Sequence, residues 1–353
     1  GAALNVFIPD TDILEVIREQ KESYGRVIPI HNQDYAFYSS PIMIEGKAEG
    51  AVTVFQPVKE LQKIENRIRR QLHQKGLYAK YTFDDFITDS PVMKNCLEIG
   101  RRYSLTTSNI LIIGATGTGK ELMAQSIHNN SPVKDGPFVA LNCGALPPQL
   151  MESELFGYTE GAFTGALKGG KTGLIELAHN GTLFLDEIKS LNVDLQSKLL
   201  RVIQEREIMK IGDNKVVPVS VRILTAANSP LKKEIKDGGF REDLYYRLNV
   251  LDIRIPSLKQ RKEDIFLLFN YFLLRYSRKY SLNTDVVLSQ ACKGLMMKYS
   301  WPGNIRELEN WAEKYAVLSS IDKDIPLENY FPEMEEEENV LIYGINDALD
   351  SGN

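Results

Sequence analysis

A glycine-rich octapeptide gives this sequence its clearest chemical signal. Residues 114–121 read GATGTGKE, follow the apolar segment 109–113 directly and open a helical pattern. Glycines let backbone N–H groups converge on phosphate oxygens, and a helix N-terminus adds a partial positive charge. The ammonium of Lys120 supplies a full charge for the β- and γ-phosphates. The predicted phosphate-binding residues are Gly114, Ala115, Thr116, Gly117, Thr118, Gly119, Lys120 and Glu121.

Two carboxylates downstream predict hydrolysis in addition to binding. An apolar strand pattern over residues 181–185 ends in Asp186 and Glu187, and the carboxyl ends of parallel strands meet at one edge of a sheet. We expect Asp186 to hold Mg²⁺, directly or through water, and Glu187 to polarise the attacking water. Glu121 stands where a Ser or Thr usually contacts the metal, so Mg²⁺ must depend on other ligands. Taken alone, a strand that ends in Asp-Glu is often only a helix cap.

Composition excludes several other functions. The 353 residues carry a net charge of -5, which argues against a chain that coats nucleic acid or a membrane by bulk charge. The cysteines and histidines are scattered, so no zinc or haem site is expected, and the pattern is typical of reduced thiols in the cytoplasm. The apolar run 265–274 is too short to span a bilayer. No secretory signal is evident, and an initial Gly1 suggests a shortened chain.

The elements that must position these residues follow from the patterning. Short apolar strands alternate with helical runs over residues 81–256, which predicts a parallel sheet covered by helices on both faces. Helical patterns alone continue over 257–320 and predict a small lid domain. Residues 321–353 are acidic, with a glutamate run at 335–338, and predict a tail or linker. The predicted strands cover residues 109–113, 138–142, 182–185, 221–226 and 250–255.

The amino-terminal region predicts a small separate domain. A helical segment over residues 13–22 precedes an antiparallel hairpin, whose strands 35–44 and 51–55 flank a turn at 45–47. A helix followed by a hairpin resembles the back half of a PAS sensor domain, and a generic α+β fragment is the alternative for residues 1–57. Residues 58–80 predict a connector helix with a basic face, which would pair with its copy in a neighbouring subunit. A merely solvated face and DNA binding are the alternatives.

Four further segments carry a family resemblance. They are LNCGAL (141–146), GYTEGAFTGA (157–166), FREDLYYRLNV (240–250) and WPGNIRELEN (301–310). Together with the phosphate and carboxylate motifs, they closely resemble the AAA+ domain of sigma-54-dependent activators, the bacterial enhancer-binding proteins, over about residues 83–320. The amino-terminal part is similar to PAS-containing members, including the propionate-catabolism regulators. The resemblance implies an α/β P-loop ATPase with an all-α lid, acting as a ring-shaped homo-oligomer, expected to be a hexamer.

The resemblance also implies a partner-binding loop. Two glycines would each cost a packed helix about 1 kcal/mol, whereas they suit a mobile loop with the aromatic tip Phe163. In the family this loop engages the sigma factor, and a second loop over residues 205–217 supports it. The alternative is a plain surface turn. The implied loop residues are Gly161, Ala162, Phe163, Thr164, Gly165 and Ala166.

Two arginines are candidate fingers by the same resemblance. Arg241 and Arg247 would reach the γ-phosphate held by an adjacent subunit, where a guanidinium stabilises the charge of phosphoryl transfer. Their ordinary alternative is an ion pair with Glu242 or Asp243. If they act as fingers, an isolated subunit should be a poor ATPase.

Four other positions are assigned by the match. Arg306 corresponds to sensor II of the lid, Asn228 to sensor I, and Ile87 to the adenine pocket. Asn142 corresponds to the polar partner that holds Glu187 away from water until the target binds, and its alternative is a satisfied strand-end amide.

Three positions depart from the family pattern. Ala227 stands where a Thr usually precedes sensor I, Ala115 replaces a commonly acidic residue, and Thr88 replaces a glycine that often precedes the adenine pocket. Only the first of these removes a hydrogen-bonding group near the chemistry.

The expected function is ATP-driven remodelling of closed complexes of sigma-54 RNA polymerase, in the cytoplasm. A nucleotide-gated binding module that barely hydrolyses ATP is one alternative, and a general AAA+ unfoldase or helicase loader is another. No helix-turn-helix pattern follows residue 321, so we expect no sequence-specific DNA binding by this chain.

Overall fold

The computed structural model describes residues 13–30, 33–44, 46–58, 76–163, 165–282 and 290–321. The chain divides into two compact units, Gly1–Gly76 and Leu77–Asn353. Most of the predicted connector helix and nearly all of the acidic tail lie outside the described residues.

The first unit is a helix packed on a three-stranded antiparallel sheet. Val16 of the helix, Ile28 and Phe37 are buried, and the rings of Phe37 and Phe55 stack at 5.5 Å. The predicted helix and hairpin are confirmed, with the helix ending three residues early, at Glu19. The resemblance to a PAS domain stays a prediction. The elements are α1 (Ile13–Glu19), β1 (Ser23–Ile30), β2 (Gln33–Ile44) and β3 (Lys47–Pro57).

A five-stranded parallel sheet forms the centre of the second unit. Its strands are β4 (Ile110–Ile113), β5 (Phe138–Asn142), β8 (Gly181–Asp186), β11 (Val221–Ala227) and β12 (Leu251–Arg254). The order across the sheet is β12-β4-β11-β8-β5, and every neighbouring pair is parallel. All five predicted strands are confirmed, with their ends within one residue.

This strand order places the chemical motifs together. Ala227 at the end of β11 pairs with Ile113 at the end of β4, so the loop after β4 lies beside the end of β11. Strand β11 in turn neighbours β8. At the far side Asn142 pairs with Asp186. The carboxyl edge of the sheet therefore carries the glycine-rich loop, both carboxylates, Asn142 and Asn228.

Helices cover the sheet, and two short β-hairpins project from it. Large apolar side chains of the sheet and its helices are fully buried in two clusters, one on each face. The helices are α2 (Pro91–Ser104), α3 (Lys120–Asn129), α4 (Pro148–Phe156), α5 (Leu174–Leu177), α6 (Val193–Glu205), α7 (Lys232–Lys236) and α8 (Glu242–Leu248). The hairpin strands are β6 (Gly157–Tyr158), β7 (Lys171–Thr172), β9 (Glu207–Met209) and β10 (Val216–Pro218).

The lid consists of α9 (Glu263–Tyr280), α10 (Gln290–Lys298) and α11 (Asn304–Ile321). Its separate core includes both tryptophans of the chain, Trp301 and Trp311, whose rings meet edge to face at 4.9 Å. One face of the apolar run in α9 is buried in this core, whereas Tyr271 and Leu274 are exposed. Within the described part of the chain, no helix has the length and apolarity that a bilayer crossing requires.

A buried histidine joins a helix to the sheet beneath the glycine-rich loop. Nδ1 of His128 on α3 lies 2.8 Å from Oγ1 of Thr182 on β8, and its ring packs against Phe138. Burial, reinforced by the nearby charge of Arg222, lowers the pKa of His128 from 6.5 to about 4. The folded protein therefore holds this imidazole neutral.

Replacing His128 by glutamine should flatten the pH dependence of stability. The unfolded chain takes up the proton first, because the folded-state pKa is the lower one. This contribution to the free energy of unfolding is therefore complete above about pH 6.5 and is lost as the pH falls to about 4, by about 3 kcal/mol in total. The free energy of unfolding, measured by urea denaturation at several pH values in this range, should change less steeply with pH in H128Q. The exposed His179→Gln is the control, and an unchanged slope in H128Q would contradict the assignment.

Candidate functional site

The glycine-rich loop holds a buried lysine between two strands. Lys120 is the first residue of α3 and only 7% exposed. Its Nζ donates to the carbonyl oxygens of Gly114 (2.8 Å) and Ala115 (3.2 Å) and to Oδ1 of Asn228 (2.8 Å). Burial lowers the pKa of Lys120, whereas the carboxylates of Asp186 and Glu187 raise it. The structure thus joins the predicted phosphate loop, sensor I and both acidic residues.

The loop is closed by its own hydrogen bonds. Gly117 and Gly119 have φ of 77° and 100°, a region that residues with a side chain rarely adopt. The hydroxyl of Thr118 donates to the carbonyl of Ala115 at 2.8 Å. Glu121 is exposed at the start of α3 and accepts from Nε2 of Gln125 at 3.0 Å. The carboxylate of Glu121 is thus drawn along the helix surface.

The two carboxylates differ in their surroundings. Oδ1 of Asp186 accepts from the backbone N–H of Glu187 at 2.8 Å. Glu187 has φ of 52°, a left-handed conformation that is costly for a residue with a side chain. Its carboxylate lies directly against Gly144, since a Cβ there would be 2.2 Å from Oε2. A side chain at position 144 would therefore displace the carboxylate of Glu187.

Asn142 lies beside Glu187 without a hydrogen bond to it. Its Oδ1 instead accepts from the backbone N–H of Gly144 at 2.7 Å, so this acceptor is used within its own turn. Both Asn142 and Glu187 contact Gly144, which brings the two side chains close. The role of Asn142 as a partner of Glu187 stays a prediction.

Ile87, the residue predicted for the adenine pocket, lies in the segment before α2. Ile87 packs against the lid core, and the ring of Phe86 lies 4.0 Å from the position of a Cβ on Gly119. The hydroxyl of Thr88 donates to Oδ2 of Asp264 at 2.7 Å. Thr88 thus ties this segment to the lid, a role that its departure from the family pattern did not reveal. Sequence reasoning missed both Phe86 and Asp264.

The lid contacts the glycine-rich loop directly. Cβ of Arg306 lies 3.1 Å from where a Cβ of Gly117 would be, and the carbonyl oxygen of Gly303 lies 2.1 Å from it. Only glycine fits at position 117. The exposed side chain of Arg306 therefore begins beside the phosphate loop, and its role as sensor II stays a prediction.

The two candidate arginine fingers have different partners. Arg241 precedes α8 and forms a forked ion pair with Asp243, at 3.0 and 2.6 Å. Arg247 is exposed in the last turn of α8, and its guanidinium forms no ion pair or hydrogen bond with the described residues. The carbonyl of Arg247 accepts from Nδ2 of Asn109 at 2.9 Å. Arg241 thus forms the ion pair named as the alternative, whereas no such pair occurs for Arg247 among the described residues, and the finger role of both stays a prediction.

The predicted partner loop rises from a rigid base. Gly161 and Gly165 have φ of 78° and 97° with open space around them. Phe163 is 45% exposed and meets the ring of the buried Tyr158 edge to face at 4.9 Å. The loop therefore presents an aromatic side chain at its tip, and Thr164 lies outside the described residues.

The base of this loop is held by two neighbouring segments. Gly157 and Tyr158 pair with β7 on one side. On the other side, the N–H of Thr159 donates to the carbonyl of Ile211, and the N–H of Ile211 donates to the carbonyl of Gly157, both at 3.0 Å. Ile211 lies in the turn between β9 and β10, within the predicted second loop. The second loop thus buttresses the first.

Similarity to known proteins agrees with this architecture. The family described as the Sigma-54 interaction domain matches residues 86–254, and the AAA+ ATPase lid domain matches residues 259–341. The transcriptional activator RocR of Bacillus subtilis is 45% identical over 303 residues, covering 85% of this chain and 63% of RocR. An uncharacterized protein encoded in the HyuA 5′ region of Pseudomonas sp. (strain NS671) is 45% identical over 236 residues, covering 67% of this chain and 79% of that protein.

A solved structure shares the fold. The crystal structure of NtrX from Brucella abortus in complex with ATP superposes with a TM-score of 0.64 and 31% identity, over 76% of this chain and 57% of that one. The chain spans about half the length of several curated relatives that it matches. With the parallel sheet, the helical lid and both family matches in place, the chain belongs to the sigma-54-dependent transcriptional activators and contains their AAA+ ATPase domain.

Proposed function

We propose that this chain is an oligomeric ATP-hydrolysing motor that remodels closed complexes of sigma-54 RNA polymerase through the loop 161–166. The observation that carries the proposal is the convergence of Lys120, Asp186, Glu187 and Asn228 at one edge of the sheet. A phosphate site, a metal-binding carboxylate and a candidate general base together support hydrolysis rather than binding alone.

Lys120 would exchange its present partners for phosphate oxygens. Its three acceptors are a side-chain amide and two carbonyls, all neutral groups, whereas a triphosphate offers full negative charge. The ammonium sits at the start of α3, whose N-terminus also favours anions. The loop is therefore suited to bind ATP by charge and by backbone N–H groups together.

Mg²⁺ fits the donors at this edge only with the help of the nucleotide. No cluster of three or more His, Cys, Asp or Glu side chains suited to a metal occurs among the described residues. Mg²⁺ is commonly held by one or two carboxylates plus phosphates and waters. Half-buried Asp186 supplies such a carboxylate, and Glu121 is engaged by Gln125. Asp186 would hold the ion, which when bound neutralises phosphate charge.

Glu187 is suited to orient the attacking water. Its half-buried carboxylate accepts no hydrogen bond from the described residues, so its lone pairs remain available to a water. The left-handed backbone of Glu187 sets the direction of its side chain, and its carboxylate lies against Gly144. Fixed geometry of this kind lowers the cost of reaching the reactive arrangement.

The position of Arg247 supports a role on a neighbouring subunit. Asn109, which binds the carbonyl of Arg247, lies at the amino end of β4, whereas Gly114 follows the carboxyl end. At about 3.3 Å per residue the two ends are roughly 16 Å apart. An arginine at this end is badly placed for phosphates in its own chain. We propose Arg247 as the finger in trans. Arg241 remains a second candidate, held in place by its ion pair with Asp243.

The partner surface is proposed to be the exposed tip of the loop. Phe163 and the nearby Leu167 are 45% and 62% exposed, and exposed aromatic side chains often anchor protein interfaces. The base at Tyr158 and Ile211 would transmit changes from the ATPase core to this tip.

The remaining assignments follow the sequence predictions. We propose a sensor fragment over residues 1–57, a connector over 58–80, an α/β subdomain over 81–256 and a lid over 257–320. Residues 321–353 would form a tail, and the protein would act in the cytoplasm as a hexameric ring.

Lys120→Ala should nearly abolish ATP binding, because it removes the main phosphate charge. Losing a charge-assisted hydrogen bond costs about 3 kcal/mol, or roughly a hundredfold in affinity. Equilibrium binding of a fluorescent ATP analogue measures the effect. The exposed Lys134→Ala is the matched control, and retained affinity in K120A would refute the phosphate-site assignment.

Arg247→Ala should keep ATP binding but stop hydrolysis. ATPase activity per subunit of the unmodified chain should rise with protein concentration as rings form, and activity near zero at every concentration would favour a nucleotide-gated switch instead. Mixing R247A with Glu187→Ala chains should partly restore turnover, because some interfaces then combine an intact finger with an intact base. Without restoration, Arg247 would have only a structural role.

Phe163→Ala should separate ATP hydrolysis from partner binding. The ATPase rate should stay within about twofold, since the exposed Phe163 packs on Tyr158 rather than on the residues assigned to ATP hydrolysis. Co-purification with sigma-54 in the presence of a transition-state ATP analogue should be lost. The exposed Leu105→Ala serves as the control, and sigma-54 binding by F163A equal to that of the unmodified chain would rule out this contact.

A further inference from the structure

Three consecutive carbonyl groups of the phosphate loop are bound by the lid. The carbonyl of Thr116 accepts from Nδ2 of Asn304 at 2.9 Å, and that of Gly117 accepts from the N–H of Ile305 at 3.0 Å. The carbonyl of Thr118 accepts from Nη2 of Arg261 at 3.2 Å. Two of these three donors are side chains, both at least 98% buried.

These bonds fix the direction of the anion-binding groups. In a trans peptide the C=O and the following N–H point in opposite directions, and no described peptide bond is cis. Holding the carbonyls of Thr116 and Thr118 toward the lid therefore turns the N–H groups of Gly117 and Gly119 away from it. The orientation of the loop depends on donors that lie more than 140 residues away in the chain.

Asn304 is built into a junction of three segments. Its Oδ1 accepts from the N–H of Leu258 in the link to the lid at 2.9 Å, while its Nδ2 also reaches the carbonyl of Pro302 at 3.3 Å. Its φ of 52° is a left-handed conformation, which asparagine tolerates better than most residues. Position 304 thus needs a residue that tolerates the left-handed backbone and whose side chain both accepts and donates a hydrogen bond. Asparagine meets all three requirements.

Arg261 makes the equivalent junction on the other side. Besides Thr118 it faces Asp264, with Nη1 3.8 Å from Oδ2. Oδ1 of Asp264 accepts from the N–H groups of Asp89 and Ser90, at 2.8 and 3.1 Å. Burial lowers the pKa of Arg261, and Asp264 opposes this shift. The pair links the phosphate loop, the adenine-pocket segment and the lid.

We propose that Asn304 and Arg261 are positioning residues that orient the phosphate loop for nucleotide and transmit its position to the lid. The inference rests on the assignment of residues 114–121 as the ATP phosphate site. It adds to Arg306 a second route between nucleotide and lid, through the main chain rather than through a charge that touches phosphate. Preorganised N–H groups bind an anion without the cost of ordering the loop.

Asn304→Asp isolates the donor in this arrangement. The substitution keeps the shape, the left-handed tolerance and the acceptor for Leu258, but sets an oxygen against the carbonyl of Thr116. Affinity for a non-hydrolysable ATP analogue should fall about tenfold, the effect of about one hydrogen bond. Asn109→Asp makes the same change at a buried asparagine that also donates to a carbonyl, and it should leave affinity unchanged.

The tryptophans supply a readout that general destabilisation would not mimic. Both lie in the lid, and Trp301 is three residues from Asn304. The ATP analogue should change their emission in the unmodified chain and in N109D. At saturating analogue, N304D should lose most of this change, since the route from loop to lid is broken. Arg261→Lys, which keeps the charge beside Asp264 but loses the fork, should reduce it partly.

Hydrogen exchange without nucleotide separates this inference from the proposed function. Amides of residues 115–119 should exchange about tenfold faster in N304D than in the unmodified chain, with strand β5 unchanged as an internal reference. If N304D fails to fold, Asn304→Gly replaces it, since glycine keeps the left-handed backbone and buries no charge. The amides of residues 115–119 should exchange faster in this variant as well. Failure of the unmodified chain to bind the ATP analogue would overturn the proposed function, while faster exchange would still support the lid contact. Unchanged exchange in N304G would overturn the inference.

Discussion

The candidate site depends on how one buried ammonium group is satisfied. A charge removed from water is strongly destabilising unless polar partners replace the solvent, and Lys120 is only 7% exposed. Its partners come from the loop after β4 and from Asn228 after β11. These two strands must therefore be neighbours, and the strand order meets that requirement. Because β8 borders β11, Asp186 and Glu187 arrive at the same edge, so the fold and the chemistry share one constraint.

Sequence alone predicted what local patterns encode. Continuous apolar runs identified the five strands within one residue at each end, because strands buried on both faces leave little room for polar residues. The same argument placed Lys120 and Asp186 at one edge of the sheet. The resemblance to a known family supplied the proposed roles of the loop around Phe163 and of Arg306, which spacing could not have provided.

Contacts between distant segments could not be predicted in this way. Asn304 and Thr116 are 188 residues apart, and no periodicity marks a side chain that binds a distant carbonyl. The family pattern marks Thr88 only as a replacement of glycine and does not reveal its hydrogen bond to Asp264. The left-handed backbone of Glu187 and its contact with Gly144 also left no local signal. The hydrogen bond from the N–H of Gly144 to Oδ1 of Asn142 was likewise beyond the reach of local patterns.

The lid and Arg247 could both act on the phosphate site, but they would respond to different changes in it. The lid holds three loop carbonyls from the same chain through neutral amides and one buried guanidinium, so it responds to the shape of the loop. Arg247 lies at the opposite end of β4, and its guanidinium binds none of the described residues, so it would respond to charge on a neighbouring subunit. Under the proposed function, shape would be sensed within one subunit and charge between subunits. A ring built this way would tie the lid position of each subunit to its own nucleotide and the rate of hydrolysis to its neighbour, so that ATP turnover could pass around the ring in order.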